Sequence, residues 1–165
     1  MRIKNIYSLI SALVLVVAAS ATTHAQQEPK SDMPEVTINY NKKLTHTEEG
    51  VKMEKGKCIV FEIKTVHGGD PRVDAQVTTT LVFDIPEHAK TFEITGEAWK
   101  EKQAYVLISE CRCMDRGYNP IISGTLKGRK SEEGQWHIEA DVVAKGIDSG
   151  EDRTFKYTGV ISDKK

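Results

Sequence analysis

Residues Gln135–Lys145 read QWHIEADVVAK. Trp136, Ile138, Ala140, Val142 and Ala144 alternate there with His137, Glu139, Asp141 and Lys145, and a period of two is what a strand with one dry face and one wet face imposes. Working outward in both directions, the same period recurs. Towards the C-terminus, Arg153–Ser162 carries Phe155, Tyr157, Gly159 and Ile161 in phase. Towards the N-terminus, Ile121–Lys130 offers Ile122, Gly124 and Leu126 as its buried set, and Ala104–Asp115 (AYVLISECRCMD) puts Tyr105, Leu107, Ser109, Cys111 and Cys113 in phase. Thr91–Lys100 sets Phe92, Ile94, Gly96 and Ala98 against Glu93, Thr95, Glu97 and Trp99. Val73–Ile85 buries Val77, Thr79, Leu81, Phe83 and Ile85, and Lys57–Val66 buries Ile59, Phe61 and Ile63. Glu35–Asn41, with Val36, Ile38 and Tyr40, supplies the first strand. No convincing helical period appears in these stretches.

The connections carry turn chemistry: His67-Gly68-Gly69-Asp70-Pro71, Pro86, Asp115-Arg116-Gly117-Tyr118-Asn119-Pro120 and Asp148-Ser149-Gly150. Short links make sequential strands antiparallel neighbours. Asn41–Lys55, rich in Lys, Glu and Thr, reads as the one long polar connection. The fold class expected is all-β, an antiparallel up-and-down meander of about eight strands curled into a lipocalin-like small barrel, with a β-sandwich as the alternative. Gly134-Gln135-Trp136 has the spacing of the lipocalin Gly-x-Trp signature, but it opens the penultimate strand rather than the first, so no family membership follows from it.

At the N-terminus, Arg2 and Lys4 precede an uncharged apolar run from Leu9 to Ala19 and the small-residue end Thr23-His24-Ala25. Residues 1–25 read as a signal peptide, 26–34 as a flexible arm and 35–165 as a single β domain. The expected location is secreted or periplasmic, with no membrane anchor after cleavage. Loss of the leader leaves 21 Lys and Arg against 24 Asp and Glu, a formal charge of -3, which is no footprint for nucleic acid.

Placing the turn centres near Lys102, Arg116, Glu132 and Ser149–Gly150 fixes an expected register. Thr79, Gly96, Ser109, Gly124, Ala140 and Gly159 then line up as a row of small inward residues across the sheet. Glycines in such a row either let the sheet bend while larger side chains fill the space, or leave a preformed cavity. The second possibility gives the expected function: a non-enzymatic binding protein holding a small apolar or amphipathic ligand, contacted by Thr79, Gly96, Tyr105, Ser109, Gly124, Trp136, Ala140 and Gly159.

The alternative is a surface-recognition module that binds glycan or protein through Glu93, Glu97 and an exposed Trp99. Glu93 and Glu97 are also the one carboxylate pair that suggests hydrolysis, but no catalytic or cofactor signature accompanies them. For the cysteines, a disulfide from Cys58 to Cys111 or Cys113 is expected, because both ends fall at one end of the sheet. A Cys111–Cys113 bridge would require the strand to bend, since residues two apart in an extended chain lie near the limit of disulfide reach. No second Cys or His pair at ligand spacing supports a metal site.

Overall fold

A computed structural model describes residues 34–48, 50–67 and 77–162 of the chain. The expected signal peptide, nearly all of the expected arm and the connection from Gly68 to the start of the third strand lie outside the described residues. The described residues form eight strands: β1 (Glu35–Thr47), β2 (Gly50–His67), β3 (Val77–Pro86), β4 (Thr91–Thr95), β5 (Ala104–Ser109), β6 (Gly117–Lys130), β7 (Trp136–Lys145) and β8 (Asp152–Ile161). All pairs are antiparallel, in the order β1-β2-β3-β5-β6-β7-β8, with β4 attached to β6. The sheet curls into a half-barrel, so the all-β meander read from the spacing is the observed fold.

One strand does the bending. β6 pairs with β5 through Gly117–Pro120, and its later residues pair with β4 and β7. A register shift between Ile121 and Ser123, followed by Gly124 at a φ of 98°, separates the two parts. An extra residue of this kind increases local twist and turns a strand from one direction to another. It also exchanges the faces, so Ile121 is buried and Ile122, expected inside, is 46% exposed.

The concave side holds the main core. Phe61 and Phe83 stack at 5.1 Å, Trp136 meets Phe61 edge-on at 5.5 Å, and Phe92 bridges Phe83 and Trp136 at 5.6 and 5.8 Å. Such pairs add about 0.5–1.5 kcal/mol each beyond the area they bury. The Trp136 indole N–H has no hydrogen-bond partner among the described residues.

Three expectations are corrected. First, Asn41–Lys55 is not a loop: β1 and β2 pair along its whole length as one long hairpin that turns after Thr47. Asn41, at a φ of 55°, and a register shift at Lys42 kink the hairpin. Its outer half lies on the convex face, where Leu44, Val51 and Met53 pack with Val60, Val82 and Tyr105. Only a few apolar residues are needed for that small second cluster, so the segment keeps a polar composition.

Second, β5 is turned the other way. Val106 pairs with Leu81 and Ile108 with Thr79, which puts Ala104, Val106 and Ile108 in the main core and Tyr105 on the convex face. A strand covered on both faces is apolar throughout, and alternation cannot choose its inner side.

Third, β4 is short and misses its expected neighbours. β3 pairs directly with β5, while Thr91–Thr95 pairs with Thr125–Arg129 of β6. Gly96, at a φ of 54°, ends the strand and a 3-10 helix, Gly96–Lys100, follows. That helix swings Trp99 inward, where it is 6% exposed and donates its indole N–H to the Gly124 carbonyl at 3.1 Å.

Candidate functional site

Along the concave face of β2 and β3 the side chains change character towards one end. Phe61 faces Phe83 and Ile63 faces Leu81, but then Thr65 faces Thr79 and His67 faces Val77. The aromatic filling stops where the threonines begin. A cleft of about 410 Å³ opens there, between this end of β2, β3 and β5 and the first half of β8. Val77, Val106, Ile108 and Phe155 give it apolar walls, and Thr65, Thr79, His67 and Arg153 are among its polar contacts. The Thr65 hydroxyl donates to the Thr79 carbonyl at 3.1 Å, which fixes one wall. Small-molecule sites commonly have this composition: an apolar lining with a few polar groups that orient the occupant.

The opposite wall is held by a buried polar cluster. Asp115 ends the bend after β5 at a φ of 63° and is fully buried. Its carboxylate accepts the Asp148 and Ser149 N–H groups at 3.0 and 2.8 Å, the Ser149 hydroxyl at 2.7 Å, and the Arg153 guanidinium at 2.8 and 3.3 Å. The Ser149 N–H and hydroxyl, then Arg153 and the Asp148 N–H, outweigh burial and hold Asp115 well below the usual carboxylate range. It is therefore an ionised anchor for Arg153. Asn119, also buried, ties the same two connections: its amide donates to the Val106, Asp115 and Gly117 carbonyls, and its oxygen accepts the Ile147 N–H at 3.0 Å. The β5–β6 and β7–β8 connections are thus fastened together at the end of the half-barrel where the cleft lies.

Of the eight residues expected from sequence to contact a ligand, only Thr79 lines this cleft. The expected row of small residues does not form, because Ser109 pairs with Thr78, Gly124 with Val142, Ala140 with Leu126 and Tyr157, and Gly159 with Ile138. Gly96 starts the 3-10 helix, and Tyr105 packs on the convex side beside His46. Trp136 and Ala140 are core residues. Of the glycines in that row, Gly159 is covered by the Tyr157 hydroxyl and Gly124 by the Asp141 carbonyl, while Gly96 has open space beside it; Gly128, outside the row, is covered by Phe92. Gly124, next to the register shift in β6, sits where that strand bends.

The surface alternative also loses its residues. Trp99 is buried, so there is no exposed indole for a glycan or protein to stack on. Glu93 is exposed opposite Lys127 on β6, whereas Glu97 lies on the 3-10 helix and pairs with Lys100. They do not form a carboxylate pair on one strand face.

The cysteine expectation is corrected as well. Cys111 is bonded to Cys113, with Cα atoms 5.3 Å apart, and Cys58 is the free cysteine. The chain leaves the extended form after Ser109, with Glu110 at a φ of 59°, and this bend brings residues two apart within reach. Cys58 is opposite Pro86, at the other end of β3 from the bridge, and burial pushes its thiol up from the ordinary value.

Sequence reading missed Asp115, Asn119, Arg153 and His67. Asp115, Asn119 and His67 stood in turn clusters, where Asp, Asn and Gly are expected for backbone reasons alone. Nothing local distinguishes a turn aspartate from one that a second turn buries. What the fold and cleft define is an all-β half-barrel with a walled cleft at one end. No family model, curated protein or solved structure matches the chain.

Proposed function

We propose that the protein is a binding protein, secreted or periplasmic, that holds a small amphipathic ligand, without acting on it, in the cleft between β8 and the ends of β2, β3 and β5. The observation that carries this reading is the cleft's composition, with buried Val106, Ile108 and Phe155 in the wall and Thr65, Thr79, His67 and the charged Asp152, Arg153 and Lys156 around them. An apolar body would be held by the first set and a polar head by the second. The Cys111–Cys113 bridge supports work in an oxidising compartment.

A fluorescent amphiphile, 8-anilinonaphthalene-1-sulfonate, provides the test. Saturable binding of one molecule with a blue shift is expected, together with loss of that binding in Thr79→Phe, whose ring would fill the cleft. Circular dichroism of the variant should match that of the parent. Unchanged binding by a folded Thr79→Phe variant would refute the assignment.

A further inference from the structure

The Cys111–Cys113 bridge is poorly explained as a staple. A disulfide stabilises chiefly by closing a loop in the unfolded chain, and a loop with one intervening residue removes little entropy. Its surroundings hold the pair in place without the bond. Cys111 is buried in the main core, and Asp115, two residues beyond Cys113, is fixed by Ser149 and Arg153. The two sulfurs differ in access, since Cys111 is 6% exposed and Cys113 lies at the surface. Arg116, exposed, places positive charge along the same bend, while Glu110 is engaged with Thr78 and Lys64. Nearby positive charge favours a thiolate. Met114 and Ile147 are 62% and 50% exposed, and each sits one residue from the hydrogen bond by which Asp115 joins Asp148.

We propose that Cys111 and Cys113 form a redox-active pair that exchanges its disulfide with cysteine thiols of unfolded or extended polypeptides. A substrate thiolate attacks the exposed Cys113 sulfur, a substrate–Cys113 disulfide forms, and the Cys113–Cys111 bond breaks with its electron pair leaving on Cys111, which takes up a proton. A second thiolate of the substrate then attacks the substrate sulfur of the mixed disulfide and releases Cys113. The substrate dithiol is oxidised and the protein pair is reduced by two electrons. A low-molecular-weight disulfide such as glutathione disulfide restores the bond by the reverse exchange. Met114 and Ile147 provide the apolar contact that favours a polypeptide over a small thiol.

The experiment uses the mature protein carrying Cys58→Ser, so that only the pair reacts. Reduced glutathione is expected to open the bridge under native conditions, with the circular dichroism unchanged and a melting temperature lowered by no more than about 4 °C. Treated instead with glutathione disulfide, Cys111→Ser should accumulate a mixed disulfide on Cys113 with release of one reduced glutathione, and Cys113→Ser should do so at least tenfold more slowly. Oxidation of a dithiol peptide with apolar neighbours should slow several-fold in Met114→Ser/Ile147→Ser, while the rate with glutathione stays the same. A bridge that opens only in denaturant, or equal glutathione capture by the two cysteine variants, would overturn the redox assignment. Equal slowing with peptide and glutathione would overturn the polypeptide preference.

Discussion

Asp115 and Asp84 are both carboxylates withdrawn from water, yet their surroundings push them in opposite directions. Asp115 has several donors and is held low. Asp84 accepts the Leu44 N–H at 2.9 Å, but burial dominates and raises it. The signs follow. A depressed group contributes stability that is present above its unfolded value, about 3.9, and lost as pH falls through the folded one. A raised carboxylate contributes stability at low pH that is lost as pH rises through its folded value. Asp115→Asn is therefore expected to lower the melting temperature at pH 7 and to weaken the dependence on acid below about pH 4. Asp84→Asn should be neutral or stabilising at pH 7, and urea melts across pH separate the two. Gly124 makes a different demand. A Cβ there would lie 2.2 Å from the Asp141 carbonyl oxygen, in backbone that L residues rarely adopt. Gly124→Ala should cost about 1–3 kcal/mol from the backbone conformation alone, more with the clash, as read by denaturant unfolding.

At the scale of elements, the hairpin of β1 and β2 works as two pieces. Its inner part sends Val36 and Ile38 to the main core and its outer part covers the convex face. Leu44, 6% exposed, is the main anchor of that outer part. Leu44→Ala should cost about 2–3 kcal/mol, the low end of the range for such truncations because the small cluster can relax. Hydrogen exchange should quicken at Val51 and Met53 and stay slow at Phe61 and Phe83. The same overlay explains what could be read from sequence. β2, β3 and β7 announced their inner faces because charged or polar residues mark at least part of the other side. β5 did not, since Tyr105 and Leu107 serve the second cluster as Val106 and Ile108 serve the first. The strand count and the meander were legible; the shift of β4 to β6 was not, because pairing partners are not written in a strand's own period.

For the molecule as a whole, the candidate site forms where the chain's own filling runs out. Phe61, Phe83, Phe92 and Trp136 close the middle of the half-barrel, and the change to Thr65, Thr79 and His67 leaves space at one end. Thr79 was legible as an inward polar residue. The remaining walls were not, because they depend on Asp115 and Asn119 joining two distant connections, and on Arg153 being held by Asp115. The proposed ligand site is this end cleft, and neither the glycine positions nor the Trp99 face. Backbone amide NMR during titration with 8-anilinonaphthalene-1-sulfonate addresses it most directly. Saturable shifts should concentrate at Thr65, His67, Val77, Thr79, Ile108 and Arg153–Lys156, with Gly128, Gly159 and the β1–β2 hairpin tip unmoved. Shifts centred on Gly128, Gly159 or the hairpin, or no saturable shift anywhere, would contradict it.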